Sequence, residues 1–238
     1  MNKLQKNFRE GHSRNVTSNQ DDVHQDLVEV VRKHQCSHYR RPIASFSEAP
    51  FVQADDIVRA HGGPVILDSG CGTGESSFFL AASNPEHLVI AIDKSAVRIA
   101  RGDEPGSVDN LHIIRGNCID FWRLAAQANW PVERHFLLYP NPWPKAHHLL
   151  RRWHGHPVFG ALLELGGMLE LRSNWAIYIN EFALALATAG VCCDELGPFR
   201  PTKAITAFER KYLANNHELF RLIAQLGVAP NAENLGPH

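Results

Sequence analysis

The chain has 238 residues, 44% hydrophobic and 21% charged, enough to bury one large core with a polar extension to spare. Lys and Arg number 24 against 25 Asp and Glu, and a net charge of −1 excludes a globally cationic nucleic-acid binder, leaving such a role to a local patch. Cys36, Cys71, Cys118, Cys192 and Cys193 form no C-x-x-C pair and the 14 histidines show no metal-ligand spacing, so free thiols, no metal, no membrane span and a cytoplasmic location are expected.

Residues 1–20 are polar, carry Lys3, Lys6, Arg9 and Arg14, and lack both periodicity and the apolar run of a signal peptide. They read as a disordered basic arm, or one that orders over a ligand or RNA. From Ser18 a helix is expected, with Ser18 as its cap and Val23, Leu27, Val30, Val31 and His34 on one face. Ser37 to Pro50 is rich in Ser, Pro and Arg and reads as a loop. The chain therefore divides into residues 1–50, an arm and a helix, and 51–238, the main domain.

From Pro64 the pattern alternates. Strands are expected at 64–69, 87–93, 110–115, 134–139 and 167–173, and helices at 75–83, 95–101, 119–129, 157–165 and 175–189. The last helix is the clearest. Trp175, Tyr178, Ile179, Phe182 and Leu186 fall at helical spacing, Asn174 can cap it and Gly190 can stop it. Val191–Leu196, with Cys192 and Cys193 expected in the core, and Glu218–Gln225 read as two more strands around a helix-like 206–214, before a disordered tail at 228–238. This predicts an α/β fold: a mostly parallel seven-stranded sheet with a C-terminal antiparallel pair and helices on both faces.

The first strand runs into Asp68-Ser69-Gly70-Cys71-Gly72-Thr73-Gly74, and Asp93 ends the second. Alternate glycines allow a tight turn and close approach of a ligand to the backbone, with a helix N-terminus behind it. Dinucleotide dehydrogenases use G-x-G-x-x-G here. The leading acid and the spacing instead resemble the first motif of S-adenosylmethionine-dependent methyltransferases, of Rossmann-like class I. That resemblance puts Asp68, Gly70, Gly72 and Gly74 near the methionine end and Asp93 on both ribose hydroxyls. It puts Asn117 and Cys118, after the third strand, at the adenine, although either can equally cap the helix that follows.

The fourth strand leads into Tyr139-Pro140-Asn141-Pro142-Trp143-Pro144-Lys145. Alternate prolines push the residues before them to extended conformations, so 139, 141 and 143 are expected to project from one side of a stiff ribbon. The densest basic stretch, 145–154, follows with interleaved aromatics and reads as a phosphate-binding surface.

Pro140-Asn141-Pro142-Trp143-Pro144-Lys145-x-x-His148-x-x-Arg151-Arg152 resembles the P-D-P-W-x-K-x-R-H-x-K-R-R signature of the tRNA (guanine-N7)-methyltransferases. Arg172-Ser173-Asn174-Trp175-x-x-Tyr178 is similar to that family's T-D-W-x-x-Y, and Thr206-Ala207-Phe208-Glu209-x-Lys211 to its S/T-x-[Y/F]-E-x-K. The resemblance covers about residues 65 to 225. It implies S-adenosylmethionine as cofactor, held by Asp68, Asp93, Asn117 and Asn141, and tRNA contacts at Lys145, Asn174 and Thr206–Glu209. Arg151 and Arg152, in the basic stretch, are expected on the RNA backbone, and Asn141 is the catalytic candidate. The chain departs from the family at Asn117, Asn141 and Asn174, where aspartate is usual. Methylation at guanine N7 leaves a cationic purine that a carboxylate stabilises better than an amide. Two further readings therefore stay open: transfer to a different acceptor such as an amino group, or a cofactor- or RNA-binding relative with little turnover.

Overall fold

The computed structural model describes residues 15–37, 39–102 and 108–227. Most of the basic arm and the tail 228–238 lie outside them. Seven strands form one sheet: β1 Val65–Ser69, β2 Leu88–Asp93, β3 Leu111–Arg115, β4 Val132–Leu138, β5 Gly167–Ser173, β6 Glu195–Phe199 and β7 Leu219–Leu226. Their order is β3-β2-β1-β4-β5-β7-β6, parallel from β3 through β5, with β7 antiparallel to both β5 and β6. This is the expected sheet. β1 and β2 are buried along their whole length, which is why both read as apolar runs up to Asp68 and Asp93.

Among the described residues eight α-helices precede or connect the strands: α1 Leu27–Gln35, α2 Ser45–His61, α3 Glu75–Ser83, α4 Ala96–Ile99, α5 Cys118–Gln127, α6 Phe159–Glu164, α7 Ala176–Thr188 and α8 Ala207–Ala214. Side chains of α1, α2, α5, α6 and α7 pack into one large core with Val65, Leu67 and Ile90 of the sheet. Ile66, Val89 and Phe136 point the other way and pack with Leu80 and Ala81 of α3. The face expected for α7 is the buried one, since Trp175, Tyr178, Ile179, Phe182 and Leu186 are all buried. The order reverses between β1 and β4, so the carboxyl ends of these two strands border the crevice where such sheets bind ligands.

Four expectations are corrected. Ser18 does not cap a helix; its hydroxyl donates to the Pro144 carbonyl (2.5 Å), and α1 begins nine residues later at Leu27. Part of the expected 37–50 loop is helical, for α2 starts at Ser45, carries Pro50 inside it and crosses the division drawn at residue 50. Its N-terminus is tied by Asp120 of α5, whose Oδ2 accepts from Ala44 N (3.2 Å) and Ser47 Oγ (3.0 Å). Val191 is consumed in ending α7, its N–H bonding Leu186 O (2.9 Å) after Gly190 at φ 81°. β6 therefore starts only at Glu195, and Cys192 is exposed in the connection rather than buried in a core strand.

Burial and buried hydrogen bonds should make this fold acid-sensitive. His135 on β4 lies between β1 and β5, its Nε2 2.8 Å from Ser69 Oγ, and burial lowers its pKa from 6.5 to about 3. Burial, followed by the charges of His34 and Arg41, lowers His156 to about 4. Burial works to raise Glu181, but hydrogen bonds led by His154 outweigh it and bring that carboxyl from 4.5 to about 2. In each case the unfolded chain takes up its proton at a higher pH than the folded one. Stability should therefore be complete above pH 6.5, fall as the histidines of the unfolded chain charge, and fall faster below 4.5. Urea midpoints measured between pH 8 and 4 check this, and His135→Gln should flatten the slope between 6.5 and 4.

Candidate active site

The glycine turn joins β1 to α3 over the sheet's reversal. Gly70, Gly72 and Gly74 have φ of 81°, 64° and 81°, a region that side chains disfavour. A Cβ built on Gly70 or Gly72 meets nothing within 4 Å, so this surface of the turn faces open space; one built on Gly74 comes within 2.6 Å of Ile113 Cδ1. The turn is held from β2. Gly70 N and Cys71 N donate to Ile92 O (2.7 and 3.1 Å), and Gly72 N donates to Asp93 Oδ2 (3.0 Å).

Asp68 is buried and accepts from Ser76 and Ser77 of α3 at 2.6 and 2.7 Å. Burial raises its pKa against those two hydrogen bonds. Its carboxylate thus fixes α3 to β1, a role that the two serines just past the glycines could have signalled. Asp93 accepts from Ser95 N (2.7 Å) on Oδ1 and also faces Arg98 Nη2 across 2.9 Å. Sequence reasoning did not single out Arg98, which is half exposed beside an otherwise buried acid. The acid ending β2 and the turn are in contact, as a shared ligand site requires.

Asn117 serves as the N-cap of α5, its Oδ1 accepting from Ile119 N (3.1 Å). Cys118 opens that helix and is buried; burial first, then Asp93, pushes its thiol up to about 12, which leaves no reactive thiolate.

The proline-rich segment is not one extended ribbon. Tyr139 and Trp143 have φ of 54° and 44°, although each precedes a proline. The three side chains consequently part company. Tyr139 is buried and donates to Glu209 Oε1 (2.9 Å), Asn141 is exposed with Oδ1 accepting from Trp143 N (3.3 Å), and Trp143 lies under the Arg151 guanidinium (4.8 Å).

The basic stretch divides in two. Lys145, His147 and Arg151 are exposed and can meet phosphate. Arg152 cannot, being fully buried: Nη1 donates to Glu181 Oε2 (2.5 Å), and Nε and Nη2 donate to Trp143 O (3.2 and 3.1 Å). Thr206 and Glu209 are corrected in the same sense. Thr206 caps α8 by accepting from Glu209 N (3.0 Å), while buried Glu209 receives Arg172 Nη1 (2.5 Å) and Ile205 N (2.7 Å). A buried carboxylate needs such partners, and these residues join β4, β5 and α8. Asn174 is part-buried, its Nδ2 3.4 Å from His217 Nδ1.

Asp68, Asp93, the glycines, Asn117, Cys118 and Asn141 all lie at or just past the carboxyl ends of β1 to β4. A family model described as "Putative methyltransferase" matches residues 62–222. The chain belongs to this methyltransferase family. Among curated proteins, the tRNA (guanine-N(7)-)-methyltransferase of Mycobacterium avium (strain 104) is 33% identical over 127 residues, 50% of this chain and 48% of that protein. The protein of the same name from Leifsonia xyli subsp. xyli is 27% identical over 210 residues, 81% of this chain and 92% of that one. The chain thus spans about half the length of the first relative and nearly all of the second. Of solved structures, an antibiotic-related methyltransferase superposes with a TM-score of 0.56 at 15% identity, over 72% of this chain and 94% of the other. The 16S rRNA methyltransferase KamB gives 0.54 at 20%, over 78% and 96%. Both establish the methyltransferase fold.

Gly74→Ala tests what the turn demands. The φ of 81° should cost about 1–3 kcal/mol in urea unfolding, because Ile113 Cδ1 is a flexible tip that can move aside. Adding Ile113→Val should recover little of that loss; full recovery would mean that the contact, not the backbone, requires glycine.

Proposed function

We propose that this chain transfers the methyl group of S-adenosylmethionine to N7 of a guanine in tRNA. The observation that carries the reading is one edge of the sheet on which the glycine turn and Asp93 stand beside an exposed amide, Asn141, and an exposed basic surface. The site fits the cofactor: the open space over Gly70 and Gly72 is a cradle that a Cβ would fill. Asp93 would hold the ribose hydroxyls, and the Asn117–Cys118 segment would border the adenine. Arg98 now shares Asp93 Oδ1, and its exposed side chain has room to leave. When bound, the cofactor supplies an electrophilic sulfonium methyl.

Guanine N7 presents a lone pair, so no side chain has to remove a proton. The protein's work is alignment and electrostatics. Asn141 sits on a loop held in a left-handed turn by its own amide and can orient the acceptor ring, while Lys145 and Arg151 meet the RNA backbone. Names borne by the curated relatives support tRNA as the acceptor.

Methyl transfer from labelled S-adenosylmethionine into bulk tRNA, followed by nucleoside digestion, tests the reading. N7-methylguanosine is the expected product; label in another nucleoside would overturn the choice of N7, and no label in any RNA would overturn the activity. Asn141→Asp keeps the carbonyl that accepts from Trp143 N and adds a negative charge beside the developing purine cation. Turnover should rise by about tenfold or more, since removing one such stabilising group costs about a hundredfold elsewhere. Lys145→Ala with Arg151→Ala should weaken RNA binding and flatten its log–log salt slope by roughly 1.4 to 1.8, the share of two phosphate contacts.

A further inference from the structure

Residues 18–24 lie across the acceptor side of the site and are tied to it by side chains. Ser18 Oγ donates to Pro144 O (2.5 Å), and Asn19 Oδ1 accepts from Ala146 N (3.0 Å). Gln20 reaches deeper. Its Nε2 donates to Glu181 Oε1 (2.6 Å) and its Oε1 accepts from Arg152 Nη2 (3.0 Å). His24 N donates to the same Glu181 oxygen (2.9 Å), while His154 Nε2 stands 2.9 Å from Oε2. One buried carboxylate on α7 therefore gathers the N-terminal segment, Arg152 and His154.

What this cluster holds is the strained part of the site. Trp143 keeps φ at 44° before a proline, a conformation that costs about 1–3 kcal/mol and persists only when its surroundings over-determine it. Arg152 donates twice to the Trp143 carbonyl and once to the Lys145 carbonyl (3.3 Å), and its guanidinium lies 5.1 Å from the Trp175 ring centre. Ser18 takes the carbonyl between them. Three successive carbonyls, at 143, 144 and 145, are thus fixed by the clasp, immediately beyond Asn141.

We propose that Ser18, Gln20, Arg152 and Glu181 are positioning residues: the N-terminal segment is a clasp that sets the acceptor loop 141–146 in its reactive geometry. Arg152 acts here by holding backbone, not by meeting RNA. The consequence for turnover rests on the methyl-transfer reading above, whereas the consequence for loop order does not.

Arg152→Gln leaves Glu181 buried without its counter-charge and is a poor first test, because such losses can unfold a protein. Ser18→Ala with Gln20→Ala removes only the outer half of the clasp. In that double variant, amide hydrogen exchange at residues 143–152 should quicken by about tenfold or more while β1 and β2 keep their protection. On tRNA, kcat should fall by about ten- to a hundredfold with KM for S-adenosylmethionine and the salt slope of RNA binding unchanged. Ser18→Thr, which keeps the hydroxyl, should retain wild-type kcat. Unchanged exchange in the loop would overturn the clasp whether or not the protein methylates RNA. A flattened salt slope in Arg152→Lys, with kcat intact, would return Arg152 to the RNA surface and overturn its positioning role. A wild type inactive on every RNA refutes the activity reading alone, and the exchange result then decides the clasp.

Discussion

Everything at the ligand edge depends on a backbone that can turn left three times within five residues and be held there. The φ values of Gly70, Gly72 and Gly74 make the turn possible, and two acids make it stay. Asp93 grips Gly72 from β2, and Asp68 grips the first turn of α3 through Ser76 and Ser77. Both carboxylates are almost fully buried, where the loss of a hydrogen-bond partner would cost more than the bond contributes. The crevice owes its shape to this pair before any ligand arrives. Under the proposed function Asp93 would have two uses, since the acid that braces the turn would also offer the ribose its acceptor oxygens.

Away from the turn, long-range joints are made by buried carboxylates, two of which serve several segments each. Asp120 ties α2 to α5, Glu209 ties the end of β4 and β5 to α8, and Glu181 ties the N-terminal segment and the 152–154 turn to α7. A single-purpose salt bridge at such depth contributes little net stability, since desolvation offsets the attraction. A carboxylate accepting three or four hydrogen bonds from different elements fixes their relative placement instead. Placement is what the proposed transfer to N7 would need, because that chemistry asks for no proton shuttle.

The sheet, its order of elements and the glycine turn were legible because they rest on local pattern. β1 and β2 are apolar up to Asp68 and Asp93, α7 and its cap show five core positions at helical spacing, and glycines mark the turn themselves. What sequence reading missed has partners far away in the chain. The N-terminus of α2 is satisfied from Asp120, 76 positions on, so a Ser- and Pro-rich stretch passed for a loop. Arg152, from the basic stretch, and Glu209, from the family resemblance, were expected at the substrate, yet their counter-charges arrive from α7 and from Arg172 on β5. The pre-proline rule likewise foresaw extended residues at 139 and 143. Tyr139 donating to Glu209, and Arg152 donating to the Trp143 carbonyl, outweighed it.

The three asparagines that stand where aspartate is usual are not equivalent once their partners are known. Asn117 and Asn141 use a side-chain oxygen to accept from a backbone N–H, a task that a carboxylate performs as well or better. Their amides are therefore not required by the local fold, and the absent charge is a property of the pocket. Asn174 differs, because it offers an N–H to His217 Nδ1, and an aspartate there could keep that contact only against an imidazole protonated on Nδ1. Around a crevice already bounded by Asp68 and Asp93, two further carboxylates would add like charge and raise the cost of ionising each. The amides relieve that repulsion and keep the shape. Under the proposed function an uncharged Asn141 beside a charged cofactor bed would divide the labour: binding would rest on Asp93 and the turn, and the rate on how firmly Asn141 is held.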